Sequence, residues 1–539
     1  MTNHSLLIAR VVLLALSVWT LLPASAGADA ARLQRVQQRL KGELRWAGDA
    51  AGGAPYVLRN PRNPDEEIGF EVDLANALAE QLGVKARFVQ YEWVNLVPGL
   101  QKGEFDIILN GLEMTPERRS QVLFTRPYYV FRQQLVVRHD EERIKNLDDC
   151  RARDGAAGFI VGTMNNTAAE KLLRRAGDIP VKTYDGQVEP YLDLQRRRTD
   201  AVLLDWPIAL YYASRNPYLK FVDSPPDKSY YGIAVQTGDR ELAEELNRAL
   251  SDLMASGKLR AIYRKWHLWN DRQTELVNPP PELRGPGFDP APARREAEQR
   301  GMLPEQPGEP LPEDAVDITF LTSAASELTF AGYFPQLLEG AVMTVFLSVT
   351  SFLVAMVVGL IVATCRLYGP LAVRWLALGY VEFFRGIPLF FLLFFMYYGL
   401  GLPAMWTAIL GFGLNYAAFE AEIYRSSILA VPSGQWEAGR ALGMSDPLIF
   451  RRIIFPQTIR TALGPMTNDF VALFKDTSLV SVIAVRELTK EYQILATSNP
   501  TLETFLELGA VTATLYLIMS IPLGYLSRYL EQKWGAGAG

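Results

Sequence analysis

The pattern of hydrophobic and polar positions changes near residue 320. Before this point, short apolar runs alternate with amphipathic stretches, and after it long apolar runs follow one another. Residues 70–82 carry apolar side chains at helical spacing, 84–89 alternate as a strand does, and 105–109 form a continuous apolar run typical of a buried strand. Strands separated by helices predict parallel α/β layers over residues 40–275. In such sheets ligands bind where strands end, so polar residues directly after strands are candidate site residues.

The second part of the chain contains apolar stretches long enough to cross a membrane. Residues 340–365 and 508–527 are each one span, and 386–419 is divided by 399–403 into a hairpin of two. Residues 461–485 are apolar apart from Asp469, Lys475 and Asp476. The pattern predicts an all-α polytopic domain over 326–539 with about five spans.

Two further segments differ from these domains. Residues 1–28 resemble an export signal, because Arg10 precedes the apolar run 11–22 and Ala24-Ser25-Ala26 fits a small-x-small cleavage site. A retained anchor is the alternative, and either way residues 29–275 are exported. Residues 276–325 are rich in proline, glycine and charge, which predicts a semi-stiff linker biased toward polyproline II.

Charge in the loops sets the orientation of the spans. After an exported amino-terminal domain, span one runs inward, and the basic residues of three segments then lie inside: Arg366 and Arg374; Arg440, Arg451, Arg452 and Arg460; Arg528 and Lys533. This distribution agrees with the positive-inside rule. Cys150 and Cys365 then lie on opposite sides of the membrane, so no disulfide is expected.

Composition excludes several classes of function. The 539 residues are 49% hydrophobic and 21% charged with a net charge of −5, which gives no indication of nucleic-acid binding. His4, His139 and His267 are too scattered for a metal or catalytic cluster. The sequence has no Gly-x-x-x-x-Gly-Lys-Ser/Thr phosphate loop, so we expect that the chain does not hydrolyse ATP itself. It also has no nucleophile elbow, and we expect no catalytic residue and no cofactor bound by this chain.

A helix, a tight stop and a second helix are predicted over residues 437–456. Gly443 falls where a left-handed helix end would be, Ser445 or Asp446 can cap the next helix, and Pro447 fits its first position. By itself this could be an ordinary cytosolic loop. The residues that carry a closer resemblance, to the coupling loop of ABC-importer permeases, are Glu437, Ala438, Gly443, Ile453 and Pro456. In that family the loop docks into a separate ATPase subunit, which would use the ATP. Gly439 and Phe455 depart from the usual Ala and Leu.

Segments 380–389, 397–400, 473–483 and 487–489 are similar to amino-acid ABC permeases of the histidine/glutamine type. This resemblance implies a homodimer formed through the permease domain, with two ATPase subunits and two receptor domains. Ionisable groups at membrane depth are expensive, so four residues are candidates for the transport pathway or gate: Glu420, Glu422, Lys475 and Asp476. Mutual pairing, or a position at the interface, is the alternative.

Segments 69–75 and 106–118 resemble the polar amino-acid-binding proteins of bacterial importers, solute-binding family 3. The resemblance implies a periplasmic-binding-protein fold, with two α/β lobes joined by two crossing strands at 131–138 and 231–235. The lobes would close on the ligand and exclude water.

A zwitterionic ligand needs a guanidinium for its carboxylate and an acceptor for its ammonium group. The resemblance implies that Arg118 and Asp205 fill these roles. It further implies ligand contacts from Asp49, Trp93, Gly111 and Thr167. Taken singly, each of these residues also fits a helix cap, a surface ion pair or a core aromatic.

Three departures from the family bear on the ligand. Glu113 stands where Ser or Thr is usual, Gly52-Gly53 replaces an aromatic wall, and Asn166 replaces a common glycine. A carboxylate at Glu113 would oppose a ligand carboxylate and favour a cation. We therefore expect a polar or cationic amino acid, or a related amine-bearing compound, rather than glutamate.

The leading hypothesis is ATP-driven import of a free amino acid across the cytoplasmic membrane by a multi-pass chain. This chain would supply both the extracytoplasmic receptor and the permease, within the lipid bilayer. A ligand-gated channel or sensor that uses the same binding fold is the alternative. An enzyme on this fold, such as a cyclohexadienyl dehydratase, would not need five spans.

Overall fold

The computed structural model describes residues 24–50, 53–60, 63–152, 157–214, 216–305, 309–317, 330–483, 485–498, 502–530 and 532–533. The chain forms two compact units, one made of residues 1–58 and 66–322 and the other of residues 59–65 and 323–539. The predicted export signal falls largely outside the described residues. Its cleavage segment at 24–26 lies in the first turn of helix α1, Ala24–Leu40.

The N-terminal unit is built on one mixed sheet. Its strand order is β4-β1-β5-β11-β6-β9-β7-β8, with β10 paired to β6, while β2 and β3 form a separate hairpin. The strands are β1 Glu43–Gly48, β2 Leu58–Asn60, β3 Asn63–Ile68, β4 Lys85–Gln90, β5 Ile107–Ile108, β6 Leu123–Arg138, β7 Val161–Met164, β8 Val181–Tyr184, β9 Ala201–Asp205, β10 Leu219–Phe221 and β11 Lys228–Val235.

Strands β6 and β11 join two lobes, as the sequence predicted. The first half of β6 pairs antiparallel with β11, and its second half pairs with β9, from Gln133 opposite Asp205 to Val137 opposite Ala201. Both strands begin earlier than predicted, at Leu123 and Lys228. One lobe therefore holds β1, β4 and β5, and the other holds β7, β8 and β9.

Helices cover the sheet on both lobes. The predicted helix at 70–82 is confirmed as α2, with Phe70, Leu74, Leu78 and Leu82 buried on one face and Gly83 ending it in the left-handed region. The N-terminal unit's remaining helices are α3 Leu96–Lys102, α4 Pro116–Arg119, α5 Ala168–Ala176, α6 Glu189–Gln195, α7 Trp206–Tyr212, α8 Arg240–Ala255, α9 Lys258–Lys265 and α10 Pro292–Gly301.

The proline-rich segment differs from the extended linker expected over 276–325. Short 3-10 helices at Asp271–Val277 and Pro281–Leu283 lead into α10, and Leu276, Leu283 and Met302 are buried. The Val316 amide donates to the Lys265 carbonyl over 2.8 Å. In its described part the segment is folded against the binding domain. Local composition underestimates this packing because it depends on contacts with distant residues.

The C-terminal unit is helical. Its helices are α11 Phe330–Tyr368, α12 Leu371–Gly386, α13 Leu389–Phe394, α14 Ala404–Leu429, α15 Ser433–Ala441, α16 Asp446–Ile449, α17 Phe455–Asp476, α18 Leu488–Ser498 and α19 Leu502–Leu530. Among the described residues, two stretches are long and apolar enough to cross a membrane, Gly332–Tyr368 and Phe505–Leu530. The bent pair Leu371–Gly386 and Leu389–Gly399 makes a third if it counts as one span.

The middle helices refine the predicted spans. The break at 399–403 is confirmed, because a π turn ends at Gly399 and α14 begins at Ala404. The first arm of that hairpin starts earlier than expected, at Leu371, and bends by 102° before Leu389. Here Pro388 precedes the helix and lacks an amide hydrogen. Helix α17 ends at Asp476 and a 3-10 turn, Thr477–Ile483, completes the region predicted as a span.

The helical elbow at 437–456 has the predicted helix-stop-helix form. Gly443 has φ of +75° and follows α15, as expected of a left-handed helix end. The predicted cap is wrong in detail: Ser445 is the N-cap residue but its side chain makes no capping hydrogen bond, and Pro447 occupies the second position. Asp446 accepts hydrogen bonds from Arg440 over 2.8 and 3.1 Å instead.

Candidate functional site

A small cavity lies between the two lobes of the N-terminal unit. It is lined by Asp49, Tyr56, Trp93, Asn110, Gly111, Glu113, Met164, Thr167, Gln187, Leu204, Asp205 and Ile208. Asp49 directly follows β1, Thr167 is the N-cap of α5, and Asp205 ends β9. Polar side chains thus converge at the carboxyl ends of parallel strands, as the α/β pattern predicted.

The structure brings six of the eight sequence-predicted ligand residues to the cavity wall. The other two, Arg118 and Asn166, lie at its edge, where Arg118 Nη2 donates to the Asn166 carbonyl over 2.8 Å. Asn166 is exposed and has φ of +59°, so its contribution is a backbone carbonyl turned toward the first lobe. The predicted residues are therefore neighbours in the structure, and their roles in ligand binding stay predictions.

Glu113 is the partner of Arg118. Its Oε2 forms an ion pair with Arg118 Nη1, and its Oε1 accepts a hydrogen bond from the Ala168 amide, in the first turn of α5, over 2.7 Å. The Arg118 guanidinium lies 5.1 Å from the centre of the Trp93 ring. Only 2% of Glu113 and 8% of Arg118 are exposed. One carboxylate therefore connects the two lobes.

Asp205 lines the same cavity and is hydrogen-bonded to a chain of tyrosine hydroxyl groups. Gln133 Nε2 donates to its Oδ1 over 2.7 Å, and Tyr231 donates to its Oδ2. The Tyr231 hydroxyl is in turn 2.7 Å from that of Tyr56. Burial, together with the charge of Glu113, raises the pKa of Asp205 above its usual range. A cation in the cavity would oppose this rise by stabilising the ionised form.

Asp49 organises the loop that carries Trp93. Its Oδ2 accepts from the Trp93 amide and its Oδ1 from Gln90 Nε2, both over 3.0 Å. Its own amide donates to Asn110 Oδ1 over 3.0 Å. These contacts hold the indole beside Arg118.

Behind the cavity, Glu71 supports Gly111. Glu71 Oε1 accepts from the Gly111 amide over 2.7 Å and from the Tyr128 hydroxyl. Burial raises the pKa of Glu71 to about 8. Gly111 has φ of +58°, and an added Cβ would approach Tyr56 Cε1 to 2.8 Å, so a larger residue does not fit.

Sequence reasoning missed part of the cavity wall. Gly52 lies outside the described residues, so the loss of an aromatic wall at Gly52-Gly53 stays a prediction, while Tyr56 adds an aromatic ring to the cavity wall. Gln187 reaches across from the second lobe, where its Nε2 donates to the Ala54 carbonyl over 3.2 Å. Neither residue ends a strand. Asn110, which follows β5, could have been found by the strand-end rule.

The four candidate pathway residues are not gathered into one cluster. Glu422 pairs with Arg366 and with Arg425, the latter over 2.8 Å. Asp476 Oδ2 accepts from the Tyr416 hydroxyl over 2.8 Å, and Lys475 is exposed at the end of α17. Glu420 is buried, and neither carboxylate oxygen has a hydrogen-bond partner within the described part of the chain.

The predicted coupling residues lie along one elbow. Glu437 and Ala438 are exposed on α15, Ile453 is half-buried and Pro456 is exposed in the first turn of α17. Gly439, a departure from the family, is buried, and an added Cβ would meet Ile449 Cγ1 at 2.7 Å. Glycine at this position therefore brings the two arms of the elbow together.

The fold defines a class: a two-lobed solute receptor followed by a helical membrane domain. Residues 47–268 match the model of bacterial extracellular solute-binding proteins, family 3, and residues 355–535 match that of binding-protein-dependent transport system inner membrane components. The chain belongs to these transport families and is an amino-acid ABC transporter subunit rather than an enzyme.

Individual relatives match each half. The L-cystine transport system permease protein TcyB of Bacillus subtilis (strain 168) is 34% identical over 221 residues, 40% of this chain and 94% of that protein. The glutamine transport system permease protein GlnP of Escherichia coli (strain K12) is 34% identical over 206 residues, 37% and 93% respectively. ABC transporter arginine-binding protein 1 of the same strain is 30% identical over 208 residues, 38% and 82%. The permease domain places the chain in the inner membrane, with the binding domain extracytoplasmic.

Proposed function

We propose that the chain is the receptor and permease subunit of an importer that takes up a polar or cationic amino acid, or a related amine. The observation that carries this proposal is the cavity, whose wall contains the carboxyl groups of Asp49 and Asp205 together with the rings of Tyr56 and Trp93. Carboxylates accept hydrogen bonds from an ammonium or guanidinium group, and aromatic faces attract cations. Relatives named for arginine, glutamine and L-cystine support this class of substrate.

Energy would come from a separate ATPase subunit that docks on the elbow. The exposed face of α15 and the turn after it offers Glu437, Ala438 and Leu442, of which Leu442 is 78% exposed. Two such chains would form a homodimer through their permease domains, with one ATPase subunit on each elbow.

Membrane transport would use the helical domain, and Glu420 is the strongest pathway candidate. A buried carboxylate without a hydrogen-bond partner is costly inside a helical bundle unless a cation pairs with it or a conformational change exposes it to water. Glu422 is a weaker candidate because its carboxylate is already paired with arginines.

ATP hydrolysis by the reconstituted full-length chain with its ATPase subunit tests the proposal. A polar or cationic amino acid or amine should stimulate hydrolysis. Asp205→Asn should raise the ligand concentration needed for half-maximal stimulation about 10- to 100-fold, which corresponds to the loss of one hydrogen bond to a charged group. Asp148→Asn is the matched control, because Asp148 is 71% exposed and pairs with Arg151. Ion conductance without stimulation by any ligand would overturn the proposal.

A further inference from the structure

Glu113 occupies the anion-binding groups beside the cavity. Arg118 Nη1 donates to the Glu113 carboxylate and, over 3.3 Å, to its backbone carbonyl. Arg118 Nη2 donates to the Asn166 carbonyl. Guanidinium binds a carboxylate best through two parallel N–H groups. In Arg118 the Nη1 and Nη2 groups already donate to atoms of the protein rather than to a ligand carboxylate.

The helix end that faces the cavity is engaged in the same way. The Ala168 amide, in the first turn of α5, donates to Glu113 Oε1 over 2.7 Å. The Thr167 hydroxyl donates to the Met164 carbonyl over 2.8 Å and accepts from the Glu170 amide over 3.3 Å as the helix cap. Both kinds of group that could receive a ligand carboxylate, guanidinium and helix N-terminus, therefore bind one internal carboxylate.

The charge of the cavity points to the same conclusion. Among the described residues, its lining includes three carboxyl groups, those of Asp49, Glu113 and Asp205, and no lysine, arginine or histidine. The neighbouring Arg118 offsets one of the three. A ligand carboxylate would have to displace Glu113, which is 2% exposed, and would leave that carboxylate buried beside a like charge.

We propose that the receptor's ligand is a cation without a carboxylate of its own, a primary amine or guanidino-amine. Glu113 supplies the carboxylate that joins the two lobes, and the ligand supplies only its cationic group to Asp49, Asp205 and the aromatic rings. The proposal rests on the receptor function above and narrows its substrate class.

Matched pairs of compounds that differ only by the carboxylate test this. Calorimetry on the purified full-length chain would compare agmatine with arginine, and cadaverine with lysine. In the wild type we expect the decarboxylated member of at least one pair to bind about tenfold or more tightly than its amino acid, the effect of one charged hydrogen bond. Glu113→Ser frees Arg118 and the Ala168 amide, so the preference should reverse.

Glu117→Ser is the matched control. Glu117 is exposed and pairs with Lys171 over 2.9 Å outside the cavity, so this variant should keep the wild-type preference. If both arginine and lysine bind the wild type at least as tightly as their decarboxylated partners, the inference is overturned and the receptor function stands. No binding by any of the four compounds, alongside binding of a neutral polar amino acid, also overturns it. Failure of every compound, polar amino acids included, overturns the proposed function itself.

Discussion

Removal of the Glu298 carboxylate should destabilise the binding domain strongly, although Glu298 lies in the segment whose composition predicts a linker. Glu298 Oε1 and Oε2 pair with Arg126 Nη1 and Nη2 over 3.0 and 3.1 Å, in a two-point contact. The side chains are 1% and 0% exposed. Glu298→Ala leaves the guanidinium buried with three neutral partners, the Ser251 hydroxyl and the carbonyls of Leu276 and Val277.

Loss of one member of a buried ion pair costs about 3–5 kcal/mol, because the remaining charge stays desolvated. The three neutral acceptors reduce this cost, so we expect the lower end, about 3 kcal/mol. For a domain of this size that corresponds to a lowering of the melting temperature on the order of 10 °C. Glu298→Gln keeps the volume and one acceptor and should give an intermediate loss.

Thermal and urea unfolding of residues 30–317 measures the effect. The control is Glu296→Ala on the same helix, because Glu296 pairs with Arg300 over 2.5 Å with both side chains more than half exposed. An exposed pair of this kind contributes about 0–1 kcal/mol. Equal unfolding free energies for the two variants would refute the conclusion that α10 is part of the folded receptor.

Two further predictions address the elbow and the acid behind the cavity. Gly439→Ala should lower ligand-stimulated ATP hydrolysis while ligand binding is unchanged, because the new Cβ meets Ile449 at 2.7 Å; Gly434→Ala in the same helix, with open space around its Cβ, is the control. Alanine favours a helix by about 1 kcal/mol over glycine, so a lower activity would not come from a loss of helix propensity. Activity equal to wild type would contradict the proposed contact. For Glu71, burial raises the pKa from 4.5 to about 8, so the native domain binds the extra proton. The contribution of Glu71 to the free energy of unfolding should therefore be greatest below about pH 4.5 and fall as pH rises through 8, a slope that Glu71→Gln removes and that urea unfolding at several pH values measures.

Local patterns predicted the elements whose stability depends on their own residues. Helix α2 and strand β4 were predicted because their apolar residues repeat at helical spacing or alternate along a strand. The resemblance to solute-binding family 3 identified Asp49 and Asp205, which lie directly after β1 and at the end of β9. The Gly443 stop was found because left-handed backbone favours glycine.

Features held by distant contacts were not predicted. Arg126 and Glu298 are 172 positions apart in the chain, so composition gave no indication that α10 would pack. Tyr56 reaches the cavity through its hydroxyl contact with Tyr231, 175 positions away. In both cases the partner that holds the residue lies on another element, and a window of neighbouring residues contains no information about it.

Two departures from the family pattern have a physical counterpart in the structure. Gly439 leaves space that Ile449 fills, and Glu113 reaches both Arg118 and the Ala168 amide. A departure without consequence would leave its neighbours in ordinary contacts, whereas each of these residues determines a contact between two elements. Gly439 allows the two arms of the elbow to approach each other closely, and Glu113 provides the buried carboxylate that joins the lobes. The charge at position 113 therefore bears on substrate class more directly than overall similarity to arginine- or glutamine-named relatives does, since a similar fold can surround either an external carboxylate or an internal one.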